Sequence, residues 1–214
     1  TLDSNGLNFQ GNSDVYENTY STDGQSVNLI YADATKGWIP LEDDVVANEP
    51  VAPPTQKAIY AYGNTGTRTN VSNLVASNGT IGSDVTGVGT SRNALAAATY
   101  GNDKAIFGYG HGNSAPLSMT NLVTNQGVVG SDVTGVGTTR HSHSAVGYGE
   151  DTAMFSFGAI PGGTDYDGKT NLVNNQGVVA SDISQVGTER GYLGSSRYGL
   201  SGQAIFAFGN INGG

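Results

Sequence analysis

Three Asp and Arg pairs recur along this chain at matched positions: Asp84 with Arg92, Asp132 with Arg140, and Asp182 with Arg190. Asp can act as a general base and Arg can bind a carboxylate, so such pairs invite a catalytic reading. A catalytic constellation, however, needs different groups converging on one point, whereas these recur once per repeat. An ion pair or turn hydrogen bond inside each repeat is the expectation that follows.

Two further clusters could do chemistry. His141-Ser142-His143 places two imidazoles on one face of a strand, a spacing that can bind a metal ion. His143, however, occupies the place of Leu95 and Leu193 in the other repeats, which makes it a packing residue and leaves His141 and His143 weak metal candidates. Asp165-Tyr166-Asp167-Gly168 looks like the start of a calcium loop, but the other ligands of such a loop are missing, and a solvated turn is expected. There is no nucleophile elbow, no glycine loop cradling a phosphate before a helix, and no paired-Glu motif. No enzyme activity and no cofactor are expected.

The elements that position these residues are legible in the composition. The chain has 214 residues, 36% of them apolar, which is enough for a packed core. Its 33 glycines, its short runs of Val, Ile, Thr, Tyr and Phe, and its scarcity of Glu and Lys predict an all-β protein of short strands and tight turns. Residues 1–50 hold nine acids against Lys36 alone, so nearly all of the net charge of -9 sits there. No basic stripe remains to follow phosphates, which disfavours nucleic acid. The apolar runs are too short for a membrane span, and membrane insertion is not expected. The absence of cysteine excludes disulfides and thiolate chemistry. The chain opens on Thr1 rather than Met, as a processed product or a piece of a longer protein would.

Residues 1–41 form a small β module, in which SVNLIYAD alternates Val27, Leu29 and Tyr31 on one face with Asn28, Ile30 and Ala32 on the other. Residues 42–56 combine acids with Pro50, Pro53 and Pro54, and read as a semi-rigid linker. Residues 57–214 are a repeat array. KAIYAYG, KAIFGYG, TAMFSFG and QAIFAFG are copies of one strand, spaced 47, 48 and 51 residues apart. Between them run Asn-Leu-Val, a turn, Ser-Asp-Val/Ile, Val-Gly-Thr-x-Arg and Tyr-Gly. Each period of about 48 residues suits one four-stranded antiparallel meander, giving three repeats and a surplus strand. In KAIFGYG, Ala105, Phe107 and Tyr109 are expected on one face and Ile106, Gly108 and Gly110 on the other, the latter small enough for a neighbouring sheet to approach closely. Gly101-Asn102-Asp103 and Asn125-Gln126-Gly127 suit hairpin turns.

The order Thr-x-Arg, strand, Tyr-Gly, turn, KAIFGYG resembles the kelch motif, which implies a β-propeller; a three-fold β-prism or β-trefoil is the alternative for three repeats. TNLVTNQGVVGSDVTGVGTTR and DKAIFGYG, with GLNFQGNSDVYENTYSTDGQSVNLIYADATKGWIP at the N-terminus, resemble the repeat-bearing virion proteins of marine tailed phages, cyanophages among them. That resemblance implies a virion appendage or tail-fibre protein, often homotrimeric, with other virion proteins and host-surface glycans as partners. The structural alternative is a capsid-decorating or tail-assembly protein, and a glycan hydrolase is the weaker one. Recognition is expected where the repeats differ, in the connections 64–70, 111–117 and 159–169. The candidate receptor-binding residues there are His111, Asn113, Asp165, Tyr166 and Asp167.

Overall fold

The computed structural model describes residues 5–11, 28–41, 57–162, 165–184, 187–199 and 202–211. The expected linker, 42–56, lies outside the described residues, as do Val27 and most of the N-terminal motif before it. All regular elements among the described residues are β-strands. The chain divides into two units, Thr1–Gln56 and Lys57–Gly214.

In the first unit, β1 (Leu29–Asp33) and β2 (Gly37–Pro40) form an antiparallel hairpin. Its turn is held by the Asp33 carboxylate, which accepts from the amides of Thr35 (2.8 Å) and Lys36 (2.7 Å). Those amides hold its carboxyl below the usual range. Trp38 meets the Tyr31 ring edge-on at 5.6 Å and pairs on its other side with Phe9. The alternation expected for β1 does not become an inside and an outside: Ile30 and Tyr31 are 46% and 45% exposed. A two-stranded ribbon has too little surface to bury one face.

The second unit is a succession of small antiparallel sheets. The first pairs β3 (Ala58–Asn64) with β4 (Arg68–Val75). The second orders β5 (Ala96–Tyr100), β6 (Lys104–Gly108) and β7 (Thr120–Val123), and the third orders β8 (Ser144–Tyr148), β9 (Thr152–Ser156) and β10 (Thr170–Val173). After β11 (Arg190–Gly191), β12 (Gly194–Tyr198) pairs with β13 (Gln203–Ala207), and β14 (Asn210–Ile211) returns to β11. Each Asn-Leu-Val strand is followed by a turn and a fourth run that bridges back onto it, through Val75 with Ile81, Val123 with Val129, and Val173 with Val179. The turn at 125–127 closes through Gly127 N to Thr124 O at 2.9 Å, and the 101–103 turn brings Tyr100 opposite Lys104.

The sheets pack on both faces, β5 against β8 and β8 against β12. Ile106 (0% exposed) and Phe107 (5%) are therefore both buried, although they point opposite ways. At Gly108 the neighbouring sheet comes close: a Cβ there would lie 2.6 Å from the Phe155 ring. Tyr109 and Phe155 stack edge to face at 5.2 Å within a cluster that includes Tyr100, Ile106 and Val173. The strand alternation does not extend to Tyr109. That residue, like Tyr62, Phe157 and Phe208, has φ between 58° and 65°, and the left-handed turn swings its ring toward the Arg of the same repeat block.

Candidate functional site

The Asp and Arg pairs resolve into a clasp between repeats, not within them. Arg92 is fully buried, its guanidinium 4.2 Å above the Tyr62 ring of the first sheet. From there Nη2 donates to Asn121 Oδ1 at 2.6 Å, on β7 of the second sheet. Asn121 in turn donates to Asp132 Oδ1 (3.0 Å), which lies 3.8 Å from Arg92 Nη1. Asp132 also accepts from the Thr90 hydroxyl (2.7 Å) and amide (3.0 Å). One repeat later, Arg140 lies 4.2 Å above Tyr109 and donates to Asn171 at 2.6 Å, while Asp182 accepts from Thr138 and Asn171. The expected intra-repeat partner of Arg92, Asp84, is bound by Asn73 instead, at 2.8 Å.

Electrostatics follow from this wiring. Burial opposes ionisation of Asp132 and Asp182. Hydrogen bonds from Thr90 or Thr138 and from Asn121 or Asn171, with the Arg charge behind them, outweigh it and hold both carboxyls below their usual range. Burial draws the guanidinium pKa values of Arg92 and Arg140 down and pushes the Tyr109 phenol up to about 12. A carboxylate saturated by two or three donors is a poor general base, so the clasp is built to join sheets. The sequence carried its missing members, Asn121, Asn171, Thr90, Thr138 and the ring residue, as invariants of the repeat, without showing which neighbour each one reaches.

The two histidines of 141–143 part company. His143 is 6% exposed, lying 5.2 Å from the Tyr109 ring and 5.7 Å from Phe155, and among the described residues neither ring nitrogen has a hydrogen-bond partner within 3.5 Å. Burial, followed by the charges of Arg140 and His141, pushes its pKa well below the usual value. Of the two weak metal candidates, His143 is a packing residue like Leu95 and Leu193, and among the described residues no group of three potential metal ligands occurs. His141 meets His111 of the preceding repeat instead, ring edge to ring face at 5.2 Å.

That contact belongs to a row along the end of the sheets where the second strand connects to the third. Arg68 donates to Asn93 Oδ1 (3.1 Å) and reaches His111 Nδ1 (3.1 Å). His141 bridges to Ala159, which bridges to Tyr166. Tyr166 lies over Gly191, where a Cβ would come within 2.6 Å of its ring, and meets Tyr192 at right angles, 6.5 Å away. Asn113 and Asp165 are exposed at this end. Asp167 is not available there: it is buried, accepting from the Lys169 amide (3.0 Å) and paired with Lys169 Nζ (3.2 Å). Arg68 and Tyr192 complete the row without having been singled out in the sequence; the signal for Tyr192 is that it replaces Ala94 and Ser142 at the matching position.

A chain of this kind can be compared with known proteins only through its fold. No protein-family model matches it, and no curated protein does. Among solved structures it resembles one described as "Structure of YjhT", with a TM-score of 0.54 and 12% identity, over 69% of this chain and 46% of that one. The likeness is one of fold. This chain spans about half the length of that structure.

Proposed function

We propose that residues 57–214 are blades of a kelch-like β-propeller, and that the protein is a non-enzymatic virion appendage or tail-fibre component of a tailed phage, whose loop-bearing end recognises host-surface glycans. The propeller reading draws on the inner strands β5, β8 and β12 packing in succession, as blades do around an axis. Attachment or trimerisation through residues 1–41 belongs to the same proposal. The observation that carries the recognition role is a division of labour. Asp132, Asn121, Thr90 and Arg92, and one repeat later Asp182, Asn171, Thr138 and Arg140, are consumed by clasps, while Arg68, His111, His141, Tyr166 and Tyr192, which differ between repeats, gather at one end. Aromatic rings beside imidazole, amide and guanidinium groups suit a sugar, which offers C–H faces to stack and hydroxyls to pair.

The test is binding of the labelled full chain to host cells and to a panel of immobilised bacterial surface glycans. Tyr166→Ala and Tyr192→Ala should each weaken binding at least about tenfold, the loss of about 1.4 kcal/mol or more, with folding retained. No binding by the wild type, or equal binding by both variants, would contradict the reading.

One feature favours the structural alternative. The outer runs present aliphatic residues once per repeat: Val85, Val133 and Ile183 are 49%, 43% and 45% exposed, and Val128 and Val178 are 61% and 60%. A stripe of this kind suits packing against other virion proteins. Its signature would be a regular lattice position for the protein in images of the virion.

A further inference from the structure

The clasp between repeats is present twice in full and once in two separated halves. At the far end of the second unit, Arg190 lies 4.8 Å above the Phe157 ring, as Arg92 lies over Tyr62 and Arg140 over Tyr109. Its carbonyl accepts from Gly158 N at 3.0 Å, the bond that also fixes Arg92 and Arg140. Among the described residues, however, the Arg190 guanidinium makes no hydrogen bond or ion pair, whereas Arg92 and Arg140 each donate through Nη2 to an Asn of the next sheet. Arg190 is thus posed for an Asn and an Asp on a third and fourth strand, and among the described residues the last sheet consists of β12 and β13.

The first sheet has the opposite surplus. Asn73 donates to Asp84 Oδ1 at 2.8 Å and to Gly82 O at 3.1 Å, as Asn121 and Asn171 do in their own sheets, so the acceptor half is assembled. Among the described residues no Arg or Thr reaches it. Among the described residues, the first sheet also has no inner strand like β5 and β8 in the next two, and β3 pairs with β4 alone.

The strands at the two ends are nearly the same strand. Residues 58–64 read AIYAYGN and residues 204–210 read AIFAFGN, differing only in two ring hydroxyls. They fill the same place in their sheets. Among the described residues β13 pairs with β12 alone, and Phe208 after it is 86% exposed, whereas its counterparts Tyr62, Tyr109 and Phe157 are buried.

From these three observations we infer that the chain associates head to tail: Thr188 and Arg190 of one copy clasp Asn73 and Asp84 of a second copy. The incoming sheet brings β3 already paired with β4, and β3 takes the place beside β12 that β13 otherwise occupies. The composite sheet then has the four runs of the complete ones, and the clasp has the composition of the Arg140 clasp. A cationic half meets an anionic half, neither completed among the described residues, with backbone pairing to set the register. The contact is heterologous, so it closes into a ring where the rotation permits. It stands independently of what the loop end binds.

The chain contains no cysteine, which permits a direct test. Ser83→Cys and Glu189→Cys each place one thiol beside a half of the clasp without removing a member of it. The two full-length variants are mixed, treated with a flexible bismaleimide, and resolved by mass. A covalent dimer is expected from the mixture and not from either variant alone. Adding Asp84→Arg to the first chain or Arg190→Glu to the second should lower its yield at least about tenfold, with unchanged melting of the Asp84→Arg chain, whose substitution is at the surface. No dimer in the mixture, equal dimer from one variant alone, or a yield indifferent to Asp84→Arg would overturn the inference. Trimerisation through residues 1–41 would persist in all these variants and is thereby distinguished.

Discussion

Arg140 explains why a charged residue recurs in every repeat of a chain that is otherwise poor in charge. Its guanidinium is fully buried, lies on the Tyr109 ring, and bonds Asn171 and the Phe155 carbonyl. Removing one partner of such a buried set leaves the others unpaired, so Arg140→Ala should cost about 3–5 kcal/mol, read as a shift in chemical denaturation. Arg140→Lys should recover only part of this, because an ammonium can neither stack as a plane nor fork to two acceptors. His143 makes the opposite case, a titratable group kept neutral by burial. Its folded pKa is depressed, so the unfolded chain takes up the proton first, and stability that is fully present above about 6.5 is lost as pH falls below it. Between pH 7 and 5 the wild type should lose up to about 1.4 kcal/mol per pH unit that His143→Leu, with the residue found at 95 and 193, does not. Asp132 and Asp182, also depressed, contribute stability that is lost in a separate and lower window, as pH falls below about 3.9.

At the scale of the element, packing is tight where β6 meets the neighbouring sheet. Gly108→Ala places a methyl 2.6 Å from the Phe155 ring without straining the backbone, and overpacking of this kind costs about 1–3 kcal/mol. Phe155→Leu in the same chain should return part of that loss, measured as a coupling in a double-mutant cycle. Strands and turns of the repeats were legible in the sequence, because KAIFGYG and its copies fix the strand and Gly101-Asn102-Asp103 fixes the hairpin. The left-handed turn at Tyr109 was not, since the alternation of ring and glycine continues through it unbroken. The partner of each Asp was not legible either: a period places Asp132 within its repeat but does not show that Thr90 and Arg92, from the repeat before, will reach it. In the hairpin of β1 and β2 the alternation was clear and the burial was not, because a two-stranded ribbon leaves both faces open.

For the whole molecule, the repeats act as a joined row of sheets whose invariant polar residues hold neighbours together and whose variable residues collect at one end. Of the residues expected to recognise a ligand, His111, Asn113, Asp165 and Tyr166 lie at that end, and Asp167 is turned inward to Lys169. Arg68 and Tyr192 join them through contacts across repeats that single connections, read one at a time, do not reveal. The most direct test sets one residue of each kind side by side in the full chain: Arg140→Ala and Tyr166→Ala, each measured for thermal melting and for binding to host cells. Arg140→Ala should melt well below the wild type, and Tyr166→Ala should melt with it but bind cells at least about tenfold more weakly. An Arg140→Ala chain that melts normally but fails to bind would contradict this, because it would place the repeated charges in a recognition site and not in the clasps that hold the sheets together.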